Sequence, residues 1–232
     1  MITVRPSEER GHFDFGWLDT RHTFSFGRYI DRRHTSFRAL RVINEDVVVP
    51  GAGFPQHPHE DMEIVTYVLK GTLAHRDTLG SVETLSPGEV QRMSAGRGIE
   101  HSEFNASKTE PVHLLQIWLF PEKQGIEPSY EQKRFAEESL RNRLCPIVTP
   151  DAREGSLKIH QDASIYAARL DKGAGATLDL KPGRHAWVQV ASGTVTLNGM
   201  GLNAGDGAAV SGEDQLTIVA GEASELLVFD LA

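Results

Sequence analysis

The chain has 232 residues and a mass of 25.6 kDa, with 39% apolar and 24% charged residues, the composition of a globular protein of one or two domains. No apolar run approaches the roughly 18 residues a membrane span needs, and the N-terminus MITVRPSEERGHFDF lacks the apolar stretch and small-residue cleavage site of a signal peptide. A net charge of −8, from 24 Lys plus Arg against 32 Asp plus Glu, argues against bulk phosphate-backbone binding, so no nucleic-acid partner is expected directly. The single cysteine, Cys145, excludes an internal disulfide framework and a thiolate-rich metal site, and a cytoplasmic, reducing location is expected.

Along the chain, the first 41 residues hold Arg5, Arg10, Arg21, Arg28, Arg32, Arg33, Arg38 and Arg41, interleaved with Glu8, Glu9, Asp14, Asp19 and Asp31. This reads as a mixed solvated face. Short alternating apolar runs then follow one another: Phe37–Ile43, Glu63–Leu69, His113–Phe120, Trp187–Val190, Thr194–Leu197 and Leu226–Leu231. Such runs, separated by Gly, Pro and Asn turns, predict an all-β sandwich or barrel architecture. A helix is predicted only over Phe135–Arg143, which has good helix formers and a partial apolar face. Pro128, Pro146, Pro150 and Gly155 bracket a connector, which divides the chain into 1–135, a connector 136–155, and 156–232.

The two halves resemble each other. Val65–Leu73 lies over Trp187–Val195 at an offset of 122 (Val65 to Trp187), with Gly71 on Gly193. Leu85–Ser94 lies over Leu202–Ser211 at an offset of 117, with Gly88 on Gly205. Two β units of one plan are predicted, the second with a shorter connection.

Eight of the ten histidines occur at or before His113, so imidazole chemistry belongs to the first half. Two segments concentrate it, His57-Pro58-His59-Glu60-Asp61-Met62-Glu63 and His101-Ser102-Glu103-Phe104-Asn105. Alternate residues of a strand share a face, so His57 faces with His59 and His101 with Glu103. On neighbouring strands the four would converge, a nitrogen and oxygen donor set suited to a divalent first-row ion. Taken alone, the first pair reads equally well as surface histidines in a turn. A second pair favours the metal reading, each pair lying behind its own glycines (Gly51 and Gly53, Gly96 and Gly98). Phe24, Phe26, Phe37, Met93 and Trp118 are candidates for core packing or for an apolar mouth, and His75 and His113 for partners that orient the ligands. At the two offsets His57, His59 and Glu63 fall on Asp179, Lys181 and His185, and His101 and Glu103 on Ile218 and Ala220. The second unit is therefore expected to lack the metal site.

The segment from Gly51 through His57, His59 and Glu63 to Gly71 resembles the first cupin motif, and Pro87-Gly88 followed by His101 and Asn105 resembles the second. RGHFDFGWLDTRHTFSFGRYID, FPQHPHEDMEIVTYVLKG and MSAGRGIEHSEFN are similar to the pirins, a two-cupin family whose bacterial members include quercetin 2,3-dioxygenases; the similarity is close over 2–135 and looser beyond. The resemblance implies two tandem cupin domains (double-stranded β-helix, or jelly-roll) and one divalent metal in the first. It implies His57, His59, His101 and Glu103 as ligands, with iron as the family's usual ion and Mn, Co, Ni, Cu or Zn compatible. Glu63 stands where many other cupins place a ligand. The implied activity is that of a metal-dependent oxidoreductase, a dioxygenase that opens the heterocycle of flavonols such as quercetin with O2 and releases carbon monoxide. Glu103 would accept the proton, and the partners would be a small aromatic substrate and O2. The alternative within the resemblance is a redox-responsive regulatory protein that binds a protein partner without turnover.

Overall fold

The computed structural model describes all 232 residues, and antiparallel strands make up almost all of its regular structure. The predicted helix shrinks to one turn, Glu137–Leu140, because Arg141 is already extended (ψ 122°) and Asn142 takes a φ of +56°. Its partial apolar face buries only Leu140. No helix is long and apolar enough to cross a membrane. The run Phe37–Ile43 begins its strand three residues late, as Leu40–Val48, because Arg38 turns the chain at φ +55° and Phe37 bridges to Leu40.

The chain forms two compact units, one of Gly11–Arg134 with Leu157–Gln161 and one of Met1–Arg10, Phe135–Ser156 and Asp162–Ala232. Besides the return of Leu157–Gln161 to the first unit, this differs from a contiguous division in two respects. The first strand, Ile2–Arg5, pairs residue for residue with Gly207–Ser211 of the C-terminal unit. The 136–155 segment contains strand Cys145–Thr149, which pairs with Ala163–Leu170. In both cases unpaired strand edges are satisfied by distant chain, which local pattern does not specify.

In the N-terminal unit a seven-stranded sheet runs in the order Ser129–Arg134, Glu89–Ser94, Glu63–Lys70, Val112–Leu119, Leu40–Val48, Leu18–His22, Gly11–Asp14. A four-stranded sheet runs Gly53–His59, Ile99–Asn105, Leu73–Asp77, Val82–Leu85. Their inward faces share one interior. One end is an apolar floor of Leu18, Val48, Val68, Leu73, Leu85, Val112 and Leu114. A second apolar group, Ile64, Met93, Ala95 and Ile99 with Trp118 and Tyr130, lies toward the other end. Between them the same strands place polar residues on the inward parity: Asn44, Asp46, Thr66, Gln91, Gln116, His75, His101 and Glu103, all buried. Burial pushes the Asp46 carboxyl up to about 7, and the charges of Glu103 and Glu45 add to it.

The repeat read from the sequence is structural. Strand Glu63–Lys70 maps at the offset of 122 onto His185–Ser192, end to end. Gly71 and Gly193 both take left-handed backbone (φ +80° and +77°), and both press against a neighbouring chain segment. Glu63 lies opposite Ser94 across its strand pair, and His185 opposite Ser211. The shortening falls in one hairpin: the four residues 78–81 between Leu73–Asp77 and Val82–Leu85 become the two-residue turn Asn198-Gly199, with φ +47° and +84°. Positive φ at both centres is the turn type that matches strand twist. The C-terminal interior is apolar throughout, with Ala168, Val188, Val190, Val210, Leu216, Ile218 and Ala220 in one cluster.

Two outcomes follow for stability. Gly71→Ala combines a strained φ with a Cβ 2.6 Å from the Pro111 carbonyl oxygen and should cost about 1–3 kcal/mol. Gly80→Ala, at φ +96° in open space, should lower the thermal midpoint less; an equal loss would remove the close-approach argument. For Asp46 the folded pKa lies above the unfolded one, so its contribution to stability is present below about pH 4 and is lost as pH rises through about 7. The thermal midpoint of Asp46→Asn should therefore gain on the wild type between pH 5 and pH 8.5, and a pH-independent difference would contradict this.

Candidate metal centre

The pairing of Gly53–His59 with Ile99–Asn105 sets His57 opposite His101 and His59 opposite Ile99. Gly53 belongs inside this strand because a Cβ there would collide with the Glu103 carbonyl oxygen and the Phe104 Cα. A bulge between His101 and Glu103 shifts the register, which re-aims the strand beside the cluster.

The three imidazoles meet. His57 Nε2 and His101 Nε2 are 3.0 Å apart, ring centroids among His57, His59 and His101 are 4.5 to 4.8 Å apart, and one nitrogen of each lies within 4.8 Å of the others. His101 is buried, while His57 and His59 are partly exposed. Burial, and then the neighbouring imidazoles, push His59 down to about 4 and His101 to about 3. Both rings are neutral at physiological pH, with lone pairs available to a cation. Two ring nitrogens at 3.0 Å, with His59 and His101 neutral, fit a divalent ion.

Glu103 joins the group through His101: His75, His101 and Glu103 also offer ligand atoms within 4.8 Å of one another. Its carboxylate reaches across the interior and is braced by the opposite sheet. Gln91 Nε2 donates to Oε1 at 3.1 Å, Gln116 Nε2 donates to Oε2 at 2.7 Å, and the Thr66 hydroxyl lies 3.3 Å from Oε1. Two carboxylate oxygens have about four acceptor positions, so capacity for a cation or a substrate proton remains. These bracing residues were missed from the sequence. Their signal was one uncharged polar residue in the middle of each of three apolar strands, EIVTYVLK, EVQRMS and VHLLQIWL.

Glu63 lies elsewhere. Thr66 faces Glu103 from the same strand, so odd-numbered Glu63 projects from the opposite face of that sheet. It accepts hydrogen bonds there from Ser94 Oγ (2.9 Å) and the His160 backbone N–H (3.2 Å). Alternation carries parity along one strand, but the turn at Asp61 (φ +48°) ends it between His59 and Glu63. His113 also faces outward, paired with Glu45 at 2.9 Å. His75 does lie beside the cluster, 5.3 Å from His101 ring to ring. His185 is bonded to Ser211 Oγ at 2.7 Å.

The partly exposed side is aromatic. Trp118 meets His59 edge to face at 4.9 Å and Phe26 at 5.3 Å, and its Nε1–H is buried without a protein acceptor. Phe24 and Met93 are core residues, 2% and 0% exposed.

Comparison with known proteins agrees with the two-unit fold. The Pirin family model matches residues 3–119, and the quercetinase C-terminal cupin domain model matches residues 146–231. A quercetin 2,3-dioxygenase of Escherichia coli K12 is 49% identical over 231 residues, covering 100% of this chain and 99% of that protein. The crystal structure of YhhW from Escherichia coli superposes with a TM-score of 0.96 at 49% identity, covering 100% of this chain and 98% of the other. The structure of bacterial pirin YhhW in complex with nickel(II) superposes with a TM-score of 0.94 at 50% identity, covering 100% and 99%. With both family models matched in order and a relative of this identity aligned along its whole length, the chain belongs to the pirin family.

Proposed function

We propose that this protein is a metal-dependent dioxygenase acting on flavonols such as quercetin, with His57, His59, His101 and Glu103 as the metal-binding residues. The observation that carries the reading is the meeting of three imidazoles, two of them held neutral by burial, at a partly exposed site braced by a carboxylate. The names of the full-length relative and of the nickel(II) complex support it. Iron is the ion we favour on the family resemblance; Mn, Co, Ni, Cu and Zn suit the same donors.

A bound ion would supply Lewis-acid stabilisation of the deprotonated flavonol 3-hydroxyl and a common meeting place for the two reactants. The chain's own residues do the rest. Gln91 and Gln116 hold the Glu103 carboxylate against rotation, so that one oxygen can take the 3-hydroxyl proton. Trp118 and Phe26 offer ring faces and edges to a flat aromatic substrate. In the overall reaction one O2 enters, the heterocycle opens and carbon monoxide leaves.

Anaerobic reconstitution with each ion, followed by O2 uptake and carbon monoxide release with quercetin, tests the function; no uptake with any ion would refute it. His57→Ala and His59→Ala should lose bound metal, measured by elemental analysis after dialysis, whereas His185→Ala should keep it. Glu103→Gln should keep metal through the three imidazoles yet lose about 10²–10⁴-fold in turnover, the usual contribution of a positioned base. Full activity in that variant would remove Glu103 from the chemistry.

A further inference from the structure

The buried pair behind His101 has no role in the function so far. Strand Leu73–Asp77 pairs with Ile99–Asn105 so that His75 lies opposite Glu103 and Asp77 opposite His101. His75 is 1% exposed. Its ring is clamped on one face by Tyr130, stacked at 4.7 Å and 24°, and at one edge by Asp77, whose Oδ2 is 3.0 Å from Nε2. Asp77 is held in turn, since its Oδ1 accepts the backbone N–H groups of Leu79 (2.9 Å) and Ser81 (3.0 Å).

A carboxylate only accepts hydrogen bonds. His75 Nε2 therefore carries a proton, and in the neutral ring Nδ1 presents a lone pair to the interior. That Nδ1 is buried and has no hydrogen-bond partner. His101 shows the complementary feature. Its Nε2 faces His57, and its Nδ1 is likewise buried without a partner. An imidazole that gives one nitrogen to a cation carries its proton on the other and needs an acceptor for it. The two rings are 5.3 Å apart and tilted by 53°. No hydrogen bond joins them in the structure, but one ring nitrogen of His75 and one of His101 lie within 4.8 Å of each other. Buried polar atoms are seldom left unpaired, and a donor and an acceptor at adjacent rings account for both at once.

We propose that Asp77 and His75 form a positioning relay behind His101, in which Asp77 fixes the His75 tautomer and His75 Nδ1 accepts the His101 Nδ1 proton. This rests on the metal-centre reading above. The relay holds the His101 ring so that Nε2 faces His57 and His59, and it makes that nitrogen a stronger donor to the ion. His75 acts through His101 and does not itself bind the metal.

The test uses the full chain loaded with Co(II) or Zn(II). By chelator competition, His75→Phe, which keeps an aromatic ring against Tyr130, should still bind one equivalent but about 10–100-fold more weakly, the usual loss for such partners. Its Co(II) ligand-field bands should shift. His75→Gln, which keeps an acceptor, should recover much of the affinity, and Asp77→Asn combined with His75→Phe should add little to His75→Phe alone. In Zn(II)-loaded wild type, ¹⁵N NMR should find His75 protonated at Nε2 and His101 at Nδ1, a measurement that does not depend on any variant folding. Unchanged affinity and bands in His75→Phe, or a proton on His75 Nδ1, would overturn the relay while leaving the metal centre intact. A second metal equivalent that His75→Phe abolishes would make His75 a ligand and overturn it too. A wild type that binds no metal would refute both readings together.

Discussion

A carboxylate taken out of water must be paired or extensively hydrogen-bonded, and Glu103, 2% exposed, sets that requirement at the middle of the N-terminal unit. The donors come from the opposite sheet: Gln91, Gln116 and Thr66, each from a different strand. Those bonds tie the two inward faces together at the level of the histidines. Glu103 shares a strand face with His101, and His101 meets His57 across the strand pair, so the bracing of one carboxylate also sets the position of the imidazoles. Desolvation does the electrostatic work at the same place. It keeps His59 and His101 uncharged, which imidazole ligands require.

The two halves show how little of this belongs to the scaffold. Strand positions, the left-handed glycines after Lys70 and Ser192, and the outward polar pairs Glu63–Ser94 and His185–Ser211 recur. The interiors differ completely. Where the first unit has a polar band between two apolar layers, the second fills the space with Val188, Val190, Val210, Leu216 and Ile218. A jelly-roll with a continuous apolar interior has only packing to satisfy, whereas one with a polar band must supply a partner for every buried heteroatom. The fold therefore hosts a site in one copy and a core in the other.

Much of the centre was legible beforehand because strand periodicity is strict. Two residues apart means one face, so His57 could be grouped with His59, and His101 with Glu103, from spacing alone. The same rule stops short of Glu63, because the turn at Asp61 separates it from His59 and its strand belongs to the other sheet. It failed for the bracing amides. A single Gln or Thr within an apolar strand announces a buried polar atom without saying what it bonds.

The sequence by itself determined the β architecture, the internal repeat and the strands that carry the imidazoles, since each depends on local alternation or on matched turns. Only the tertiary structure decided that Ile2–Arg5 completes the C-terminal sheet, that Glu63 turns outward to Ser94 and His160, and that His75 and Asp77 stand behind His101. Those are pairings across long stretches of chain. The free energy that selects them comes from burying two distant surfaces together, and neither surface carries a mark of its partner in its own residues.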